Sequence, residues 1–358
     1  MDINIKIKKK LNNFDLDIDL ESSDKRIGIL GASGCGKSMT LKAIAGIIAP
    51  DSGLINIGGK EFFNSDKKLN IAPQKRRIGY LFQNYALFPT MTVVQNIASG
   101  LHGSKEEKAK RVSEMITRFH LEGLETQLPR SLSGGQQQRV AIARLMAYEP
   151  EMILLDEPFS AMDSYLKDQL QQQLSDMLSD FDGTVILVSH NRDEIYRFCS
   201  ELLIMDHGKI LSHGGTKELF HDPDQKNTAV LTGCKNFSDI RIIDEHTCEL
   251  LDWGTTLHLK KSIPEGTTCI GYRAHYFDPV WLSEGETPPE NSIKAELSDT
   301  ANLPFEINYY FRPQGKVQPG NPEKISWFVR KGGAAGVIKE KGLPDYLKLD
   351  EEHILFLK

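Results

Sequence analysis

The first part of the chain alternates apolar and polar side chains, which is the pattern of β-strands that bury one face. Apolar residues occupy every second position over residues 3–7, a turn signal follows at Asn12, and the alternation resumes over residues 14–20. Residues 26–30 form a short apolar run before a glycine-rich turn, and residues 39–48 then show helical spacing. The pattern predicts a β-hairpin, a third strand and a helix that Pro50 ends.

The middle of the chain has helical periodicity, and we expect a helical subdomain over about residues 84–150. Ser104 precedes Glu107 by three positions, which is the capping box that begins a helix. The apolar residues that follow fall on one helical face: Val112, Met115, Ile116 and Phe119.

Two continuous apolar runs, residues 152–155 and 184–189, have the length of buried parallel strands. Between them lies a helical stripe, which Asp163 could cap, formed by Leu166, Leu170, Leu174 and Met177. Strand, helix and strand in this order predict a βαβ unit, so the expected fold class is α/β.

The last third of the chain changes character after about residue 233. Short β-like stretches are broken there by Gly and Pro, as at residues 264–266, 288–289 and 319–320. A chain of 358 residues also exceeds the size at which a single hydrophobic core stops growing. We therefore expect two domains, residues 1–233 and a β-rich domain over residues 234–358.

The composition narrows the class of protein. Hydrophobic residues make up 40% of the chain and charged residues 26%, which are values of packed globular domains. The net charge of −6 provides no basic surface for a phosphodiester backbone, so we expect no nucleic-acid partner. No apolar run approaches the roughly 18 to 20 residues of a membrane helix, so a role at a membrane would need a partner chain. The cysteines lack paired spacing and predict reduced thiols: Cys35, Cys199, Cys234, Cys248 and Cys269.

A phosphate-binding motif lies between the third predicted strand and the first predicted helix. Residues 31–38 read G-A-S-G-C-G-K-S and match the P-loop pattern G-x-x-x-x-G-K-[ST]. Backbone N–H groups of such a loop surround a phosphate, Lys37 would neutralise the β- and γ-phosphates of ATP, and Ser38 would coordinate Mg²⁺. We expect the nucleotide to contact Gly31, Ser33, Gly34, Cys35, Gly36, Lys37, Ser38 and Met39.

Two carboxylates follow the apolar run at residues 152–155. Asp156 and Glu157 would therefore lie at the carboxyl end of a buried strand, where α/β sheets bind ligands. Beside a P-loop, Asp156 would hold Mg²⁺ and Glu157 would activate the attacking water. Without the P-loop beside them, the two residues could equally be a helix cap before Pro158. His190 follows the second run and emerges at the same edge, where a catalytic and a structural role are equally open.

Residues 132–136 read L-S-G-G-Q, and the segment continues as Q-Q-R-V-A-I-A-R to residue 144. It resembles the signature sequence of ABC ATPases, and its distance from the other motifs agrees with that family over roughly residues 1–233. The resemblance implies an α/β P-loop NTPase of the ABC ATPase type with a helical subdomain, followed by a β-rich, OB- or TOBE-like C-terminal domain. It also implies a head-to-tail homodimer, in which ATP held by one subunit contacts the other subunit's Ser133, Gly134, Gly135 and Gln136.

Other residues resemble further motifs of the same family. Gln83 is similar to the Q-loop glutamine, which contacts Mg²⁺ or the water, and His190 is similar to the switch histidine that senses the γ-phosphate. Residues 160–163 resemble the D-loop, whose Asp163 would also contribute to the nucleotide site. The aromatic side chain that would stack on adenine is Phe14, although its alternation fits an ordinary core residue almost as well.

An apolar cluster follows Gln83 and consists of Tyr85, Leu87, Phe88 and Pro89. Exposed apolar patches usually mark a partner surface. In the importers that this chain resembles, the corresponding groove receives a cytoplasmic helix of the permease; the alternative is that these side chains only pack the helical subdomain. The resemblance thus implies a peripheral protein at the cytoplasmic face of the cell membrane. Its partners would be permease subunits and, indirectly, an extracellular solute-binding protein.

Other classes of ABC ATPase fit the sequence less well. DNA-repair and chromosome-structuring ATPases insert long coiled coils, often with a C-x-x-C hook, and this chain has no heptad run and no cysteine pair. Translation factors of the family carry two cassettes and a basic linker, whereas this chain has one cassette and a negative net charge. The last alternative is a binding module without hydrolysis, yet the chain retains Lys37, Asp156, Glu157 and His190.

The sequence of the C-terminal part of the chain, from about residue 232, gives an indication of the transported solute. Residues 232–238 and 271–277 resemble the tails of molybdate/sulfate-type importer ATPases, which implies uptake of molybdate or a related oxyanion. Sulfate, iron, a sugar or a polyamine are the alternatives. The donors that could bind an oxyanion in the tail are Arg273, Ser292 and Lys294. Without such a site, the domain would serve only dimer contacts.

Overall fold

The computed structural model describes residues 2–12, 14–160, 164–179, 181–314, 324–332 and 334–358. The chain divides into two compact units, Met1–Lys217 and Glu218–Lys358. This division falls earlier than the predicted one after residue 233, so residues 218–233 belong to the second unit.

The first unit contains an eleven-stranded mixed sheet. In order along the sheet the strands are β6-β5-β4-β1-β2-β11-β10-β3-β9-β8-β7. Their bounds are β1 Ile3–Lys10, β2 Asp15–Ser22, β3 Arg26–Gly31, β4 Ser52–Ile57, β5 Lys60–Asn64, β6 Leu69–Asn70, β7 Ile78–Leu81, β8 Met152–Asp156, β9 Thr184–Ser189, β10 Glu201–Asp206 and β11 Lys209–Gly215. The predicted hairpin is confirmed, because β1 and β2 pair antiparallel with Ile7 opposite Ile18.

The helices of the first unit are α1 Lys37–Ala45, α2 Val93–Ala98, α3 Lys105–Arg118, α4 Gly134–Ala147, α5 Ser164–Ser179 and α6 Arg192–Phe198, and α7 Thr216–His221 crosses into the second unit. The capping box at Ser104 is confirmed, since its side chain accepts from the Glu107 backbone N–H. The predicted end of the first helix is wrong. Gly46, in the left-handed region with φ 79°, ends α1 by donating its N–H to the last turn, four residues before Pro50.

The two apolar runs form neighbouring parallel strands, as predicted. β8 and β9 are buried along their whole length, and β3 lies on the other side of β9. Parallel strands point their carboxyl ends to one edge, so the ends of β3, β8 and β9 lie side by side. On α5, Leu174 is buried, whereas Asp163 and the side chains of Leu166, Leu170 and Met177 lie outside the described residues.

The second unit is β-rich, as predicted. Its sheets run β14-β13-β12-β15-β21 and β16-β20-β17-β18-β19. The bounds are α8 Lys226–Leu231, β12 Asn236–Asp244, β13 Thr247–Leu250, β14 Thr255–His258, β15 Cys269–Tyr272, β16 Asp278–Val280, β17 Ser292–Asn302, β18 Glu306–Pro313, β19 Ile325–Arg330, α9 Ala334–Lys341, β20 Tyr346–Lys348 and β21 Ile354–Leu357. Both sheets contribute to one core, whose largest buried side chains include Trp253, Tyr272 and Phe311.

The five cysteines are all buried as free thiols, in agreement with the expectation of reduced cysteines. Within the described part of the chain, no helix combines the length and the apolar character needed to cross a bilayer.

Candidate active site

The glycine-rich turn joins β3 directly to α1. Gly36 caps the helix with φ 108°, a backbone conformation that side chains disfavour. A Cβ atom at this position would also lie 3.0 Å from Leu16 Cδ1 and 3.2 Å from Phe14 Cε2. Cys35 is buried, and its backbone N–H donates to Ala32 O at 3.3 Å. The motif therefore needs glycine for steric reasons and uses Cys35 as a small buried spacer.

A cavity of about 510 Å³ lies over this turn. It brings together nine predicted residues: Phe14, Ser33, Gly34, Gly36, Lys37, Ser38, Met39, Gln83 and Glu157. Phe14 lines this cavity and also packs against the core, so its stacking on adenine stays a prediction. The sequence analysis missed three lining residues at the end of β1, namely Lys10, Leu11 and Asn12. The basic stretch over residues 6–10 is the sequence signal that could have indicated this end of the strand.

Lys37 is buried at the base of this cavity. Its Nζ atom donates to the carbonyl oxygens of Gly31 and Ala32, both at 2.9 Å. Gly31 and Cys35 belong to the turn but are not among the described residues that line the cavity, so they support the turn without facing the cavity. The ammonium group is thus held at the loop, where a phosphate cradled by the N–H groups would lie.

Asp156 is buried at the end of β8 beside the P-loop. Its Oδ1 accepts from Ser38 Oγ at 2.7 Å, and its Oδ2 accepts from the Tyr80 hydroxyl at 2.8 Å. A carboxylate beside a hydroxyl is an oxygen donor set that suits Mg²⁺. Tyr80, on β7, was not predicted. Burial and then the neighbouring Asp156 carboxylate raise the pKa of Tyr80 well above its usual range, so the phenol stays protonated and donates.

Glu157 contacts two other predicted residues, Gln83 and His190, each from a separate loop. Its Oε2 lies 3.2 Å from Gln83 Nε2 and 3.4 Å from His190 Nδ1. The Glu157 backbone is in the left-handed region with φ 48°, and its N–H donates to Val188 O at 2.9 Å. An acidic residue held in this strained conformation is typical of functional sites. His190 is 60% exposed, so contact with Glu157 rather than core packing defines its position.

A buried ion pair fixes the segment on either side of His190. Glu194 accepts from Ser189 Oγ at 2.5 Å, and its other oxygen lies 2.6 Å from Lys167 Nζ on α5. The same Ser189 oxygen accepts from the Asn191 N–H at 2.9 Å. This network was not predicted, and it anchors the residues that precede and follow the histidine.

The signature segment begins α4 with its own capping box. Ser133 Oγ accepts from the Gln136 N–H at 3.3 Å, and Gln136 Oε1 accepts from the Ser133 N–H at 2.8 Å. Ser133 and Gly134 are exposed, whereas Gly135 is buried. Among the described residues, the lining of the P-loop cavity includes none of residues 133–136. The predicted Asp163 lies outside the described residues.

The apolar cluster after Gln83 is only partly exposed. Tyr85 is buried, which fits the packing alternative for this residue, and burial raises its pKa to about 12. Phe88 is 45% exposed and lies 5.5 Å under the Arg144 guanidinium. Phe88 and Arg144 line a groove of about 520 Å³ between β7 and α4.

Two of the three oxyanion donors predicted in the tail bond to backbone carbonyls. The Arg273 guanidinium donates to the backbone carbonyls of Phe220 and of Thr232, the latter at 2.9 Å. Ser292 Oγ donates to Pro289 O at 2.6 Å, and Lys294 is exposed on β17. Two of the three side chains therefore bond to their own unit's backbone, an arrangement that does not favour the predicted anion site.

Comparison with known proteins agrees with the geometry. The sequence model described as ABC transporter matches residues 11–160. The Fe(3+) ions import ATP-binding protein FbpC of Haemophilus influenzae is 36% identical over 290 residues, which cover 79% of this chain and 81% of the relative. The sulfate/thiosulfate import ATP-binding protein CysA of Synechocystis is 42% identical over 211 residues, 58% of each chain.

A solved structure also matches this chain. It is a dimeric post-hydrolysis state of an ATP-binding cassette bound to ADP and Pi, with a TM-score of 0.51 and 29% identity. The match covers 60% of this chain and 99% of the cassette.

Proposed function

This chain belongs to the ABC transporter family of import ATP-binding proteins, and from that premise we propose that it energises solute uptake through a separate membrane permease. The chain is an ATPase, which converts ATP and water to ADP and phosphate. The observation that carries the proposal is the meeting of Glu157, Gln83 and His190 beside the P-loop cavity.

The nucleotide would bind along the cavity from β1 to α1. Its phosphates lie over the loop of residues 31–38, where N–H groups and Lys37 meet negative charge. The adenine lies toward Phe14 and the Lys10–Asn12 end of β1, which supply an aromatic face and polar atoms.

The donor set at the cavity fits Mg²⁺, and Ser38, Asp156 and Gln83 would hold it. When bound, the ion supplies positive charge that stabilises the phosphate oxygens during transfer. Asp156 and Ser38 keep their oxygens side by side through their mutual hydrogen bond.

Hydrolysis needs a base beside the γ-phosphate. Glu157 accepts the proton of a water whose oxygen bonds to the γ-phosphorus, while the bond to the β–γ bridging oxygen breaks and its electron pair leaves with ADP. Gln83 and His190 touch the same carboxylate oxygen and so orient it. His190 is exposed beside Glu157, where an imidazole N–H would meet the phosphoryl oxygens as they become more negative.

A second copy of the chain would complete the site. The exposed start of α4, at Ser133 and Gly134, presents a helix N-terminus that suits the γ-phosphate of ATP on another subunit. This arrangement supports a head-to-tail homodimer with two ATP molecules. Asp163 is proposed as a further contributor at that interface.

The groove between β7 and α4 supports docking of a permease helix at the cytoplasmic face of the membrane. Phe88 offers an exposed apolar ring beside Arg144, a pair that suits an amphipathic helix. By sequence, residues 1–233 would then form the cassette, although residues 218–233 belong to the second compact unit, and residues 234–358 would form a regulatory or dimerisation domain. An extracellular binding protein would deliver the solute to the permease.

The narrower proposal for the solute is molybdate or a related oxyanion, on the resemblance of residues 232–238 and 271–277. The sulfate/thiosulfate relative is named for such an ion, the iron relative is not, and neither is named for molybdate. Uptake of labelled molybdate, sulfate and Fe³⁺ by cells carrying the wild-type chain or Lys37→Ala would identify the solute. Only uptake of the transported ion should fall in the variant.

Phosphate release from Mg-ATP tests the ATPase itself. Lys37→Ala should lose activity because the phosphates lose their buried counter-charge. Lys42→Ala, on the same helix but absent from the described lining of the cavity, is the matched control and should retain it. Equal activity of the two variants would contradict the proposed site.

A further inference from the structure

Tyr80 is hydrogen-bonded to the carboxylate of Asp156. It lies on β7, the edge strand of the sheet, opposite Leu154 on β8. Its ring is half-buried and contacts the ring of Phe82, with centroids 4.4 Å apart. The parallel register therefore places the phenol next to the strand end that carries Asp156, and ring packing limits its movement.

The two oxygens of Asp156 have different partners. Ser38 Oγ lies 2.7 Å from Oδ1, and the Tyr80 hydroxyl lies 2.8 Å from Oδ2. Asp156 is only 5% exposed, so solvent cannot readily replace a lost donor. A hydrogen bond to a buried charged group is among the stronger ones in proteins, and it fixes the plane of the carboxylate.

Tyr80 belongs to no motif that the function has used. Gln83, three residues later, is similar to the Q-loop glutamine, whereas Tyr80 lies within the strand before it. The side chain therefore needs a separate explanation, and its contact with Asp156 supplies one.

We propose that Tyr80 is a positioning residue for ATP hydrolysis: its hydroxyl holds one oxygen of Asp156 so that the other stays directed at Ser38 and the metal-binding side of the P-loop. This inference rests on the proposed function. The inference assigns Tyr80 no contact with the nucleotide. Because Tyr80 acts through Asp156, which would hold Mg²⁺, the loss of its hydroxyl should affect only metal-dependent binding and hydrolysis.

The test is Tyr80→Phe, which keeps the ring and removes only the hydroxyl. Binding of a fluorescent ATP analogue is measured in EDTA and across a Mg²⁺ titration, together with the Mg²⁺ dependence of phosphate release. Metal-free affinity should stay within about twofold of wild type. The Mg²⁺ concentration for half-maximal effect should rise about tenfold, the scale of one hydrogen bond to a charged group.

Tyr272→Phe is the matched control. Its hydroxyl donates to Tyr276 O at 3.1 Å and accepts from the Asp350 N–H at 2.9 Å, so it loses a similar bonded phenol in the second unit. This variant should leave both titrations unchanged. Tyr80→Phe with wild-type Mg²⁺ dependence would overturn the proposal, and so would an equal loss of affinity in EDTA, which would indicate a general structural role.

The outcome is separable from the ATPase assignment. If the wild-type chain released no phosphate, the proposed function would fail. The Mg²⁺-dependent gain in nucleotide affinity would still report whether Tyr80 acts through Asp156.

Discussion

The two units of the chain use their polar side chains in different ways. In the first unit, the parallel strands β3, β8 and β9 end at one edge, and side chains from their loops contact one another there. In the second unit, polar side chains such as Arg273 and Ser292 bond to nearby backbone carbonyls. Parallel topology brings reactive groups to one edge of the sheet, whereas comparable groups in the second unit bond to backbone carbonyls of that unit.

The largest effect should come from the centre of the first unit. Glu157→Gln keeps the shape of the side chain but removes the base, so phosphate release at saturating Mg-ATP should fall about 10²- to 10⁴-fold. Nucleotide binding should be unchanged. Glu151→Gln, a partly exposed carboxylate that precedes β8, is the control and should hydrolyse normally. A fully active Glu157→Gln would contradict the assignment of Glu157 as the base, and with it the contrast between a reactive first unit and a structural second unit.

The next largest effect concerns stability of the first unit. Arg76 is fully buried and donates to the carbonyls of Ala43 and Ile44 at the end of α1, at 3.2 and 2.7 Å. Gly46 makes room for it, since a Cβ there would lie 2.6 Å from the guanidinium carbon. Burial lowers the pKa of Arg76 to about 10, which leaves it charged at neutral pH.

Arg76→Met should therefore lower the free energy of unfolding by about 2–4 kcal/mol, because several carbonyls lose their donor. Urea unfolding followed by helical circular dichroism measures the change. Arg77→Met removes an exposed ion pair with Glu151 and an exposed hydrogen bond to the Glu149 carbonyl, and it should cost under about 1 kcal/mol. Equal losses in the two variants would show that the buried bonds contribute nothing.

A smaller effect is expected from the corresponding arginine of the second unit. Arg273→Gln removes donors to Phe220 and Thr232 and should destabilise that unit by about 1–2 kcal/mol. The chain's three tryptophans, Trp253, Trp281 and Trp327, all lie in the second unit, so their fluorescence reports its unfolding. Phosphate release should be unchanged. A loss of ATPase activity without a fluorescence shift would contradict a purely structural role.

The smallest effect is the expected absence of oxyanion binding in the tail. Calorimetric titration of the full-length Lys37→Ala variant, whose P-loop is impaired, with molybdate, tungstate and sulfate should give no saturable heat. Saturable heat that Arg273→Gln abolishes would show that the second unit binds an oxyanion, and the two units would then differ less in how they use polar side chains.

Sequence placed the candidate residues of the first unit at strand ends because phosphate chemistry restricts residue type and spacing together. The loop of residues 31–38, Glu157 and His190 could each be placed at a strand end before the fold was known. Tyr80 was missed because a tyrosine in an apolar strand resembles a core residue until its neighbour on β8 is known. Lys10 was missed for the same reason: which strand end faces the loop is set by tertiary packing.

The tail shows the opposite case. Its strands were predictable from Gly and Pro punctuation, but the partners of Arg273 were not, because spacing along the chain does not reveal whether a guanidinium faces solvent or backbone.

In the first unit, the end of α1 at Gly46 rather than Pro50 has a local cause, since glycine reaches the left-handed conformation at no steric cost.

The most direct test of the account is complementation between two inactive variants. Lys37→Ala should lack a working P-loop, and Ser133→Arg should lack a working signature while its monomer still binds ATP. A mixture can form heterodimers with one intact composite site, so phosphate release should rise well above the sum of the separate variants. If the mixture stays as inactive as its components, or if Ser133→Arg alone remains fully active, the signature does not act across a head-to-tail dimer and the account is contradicted.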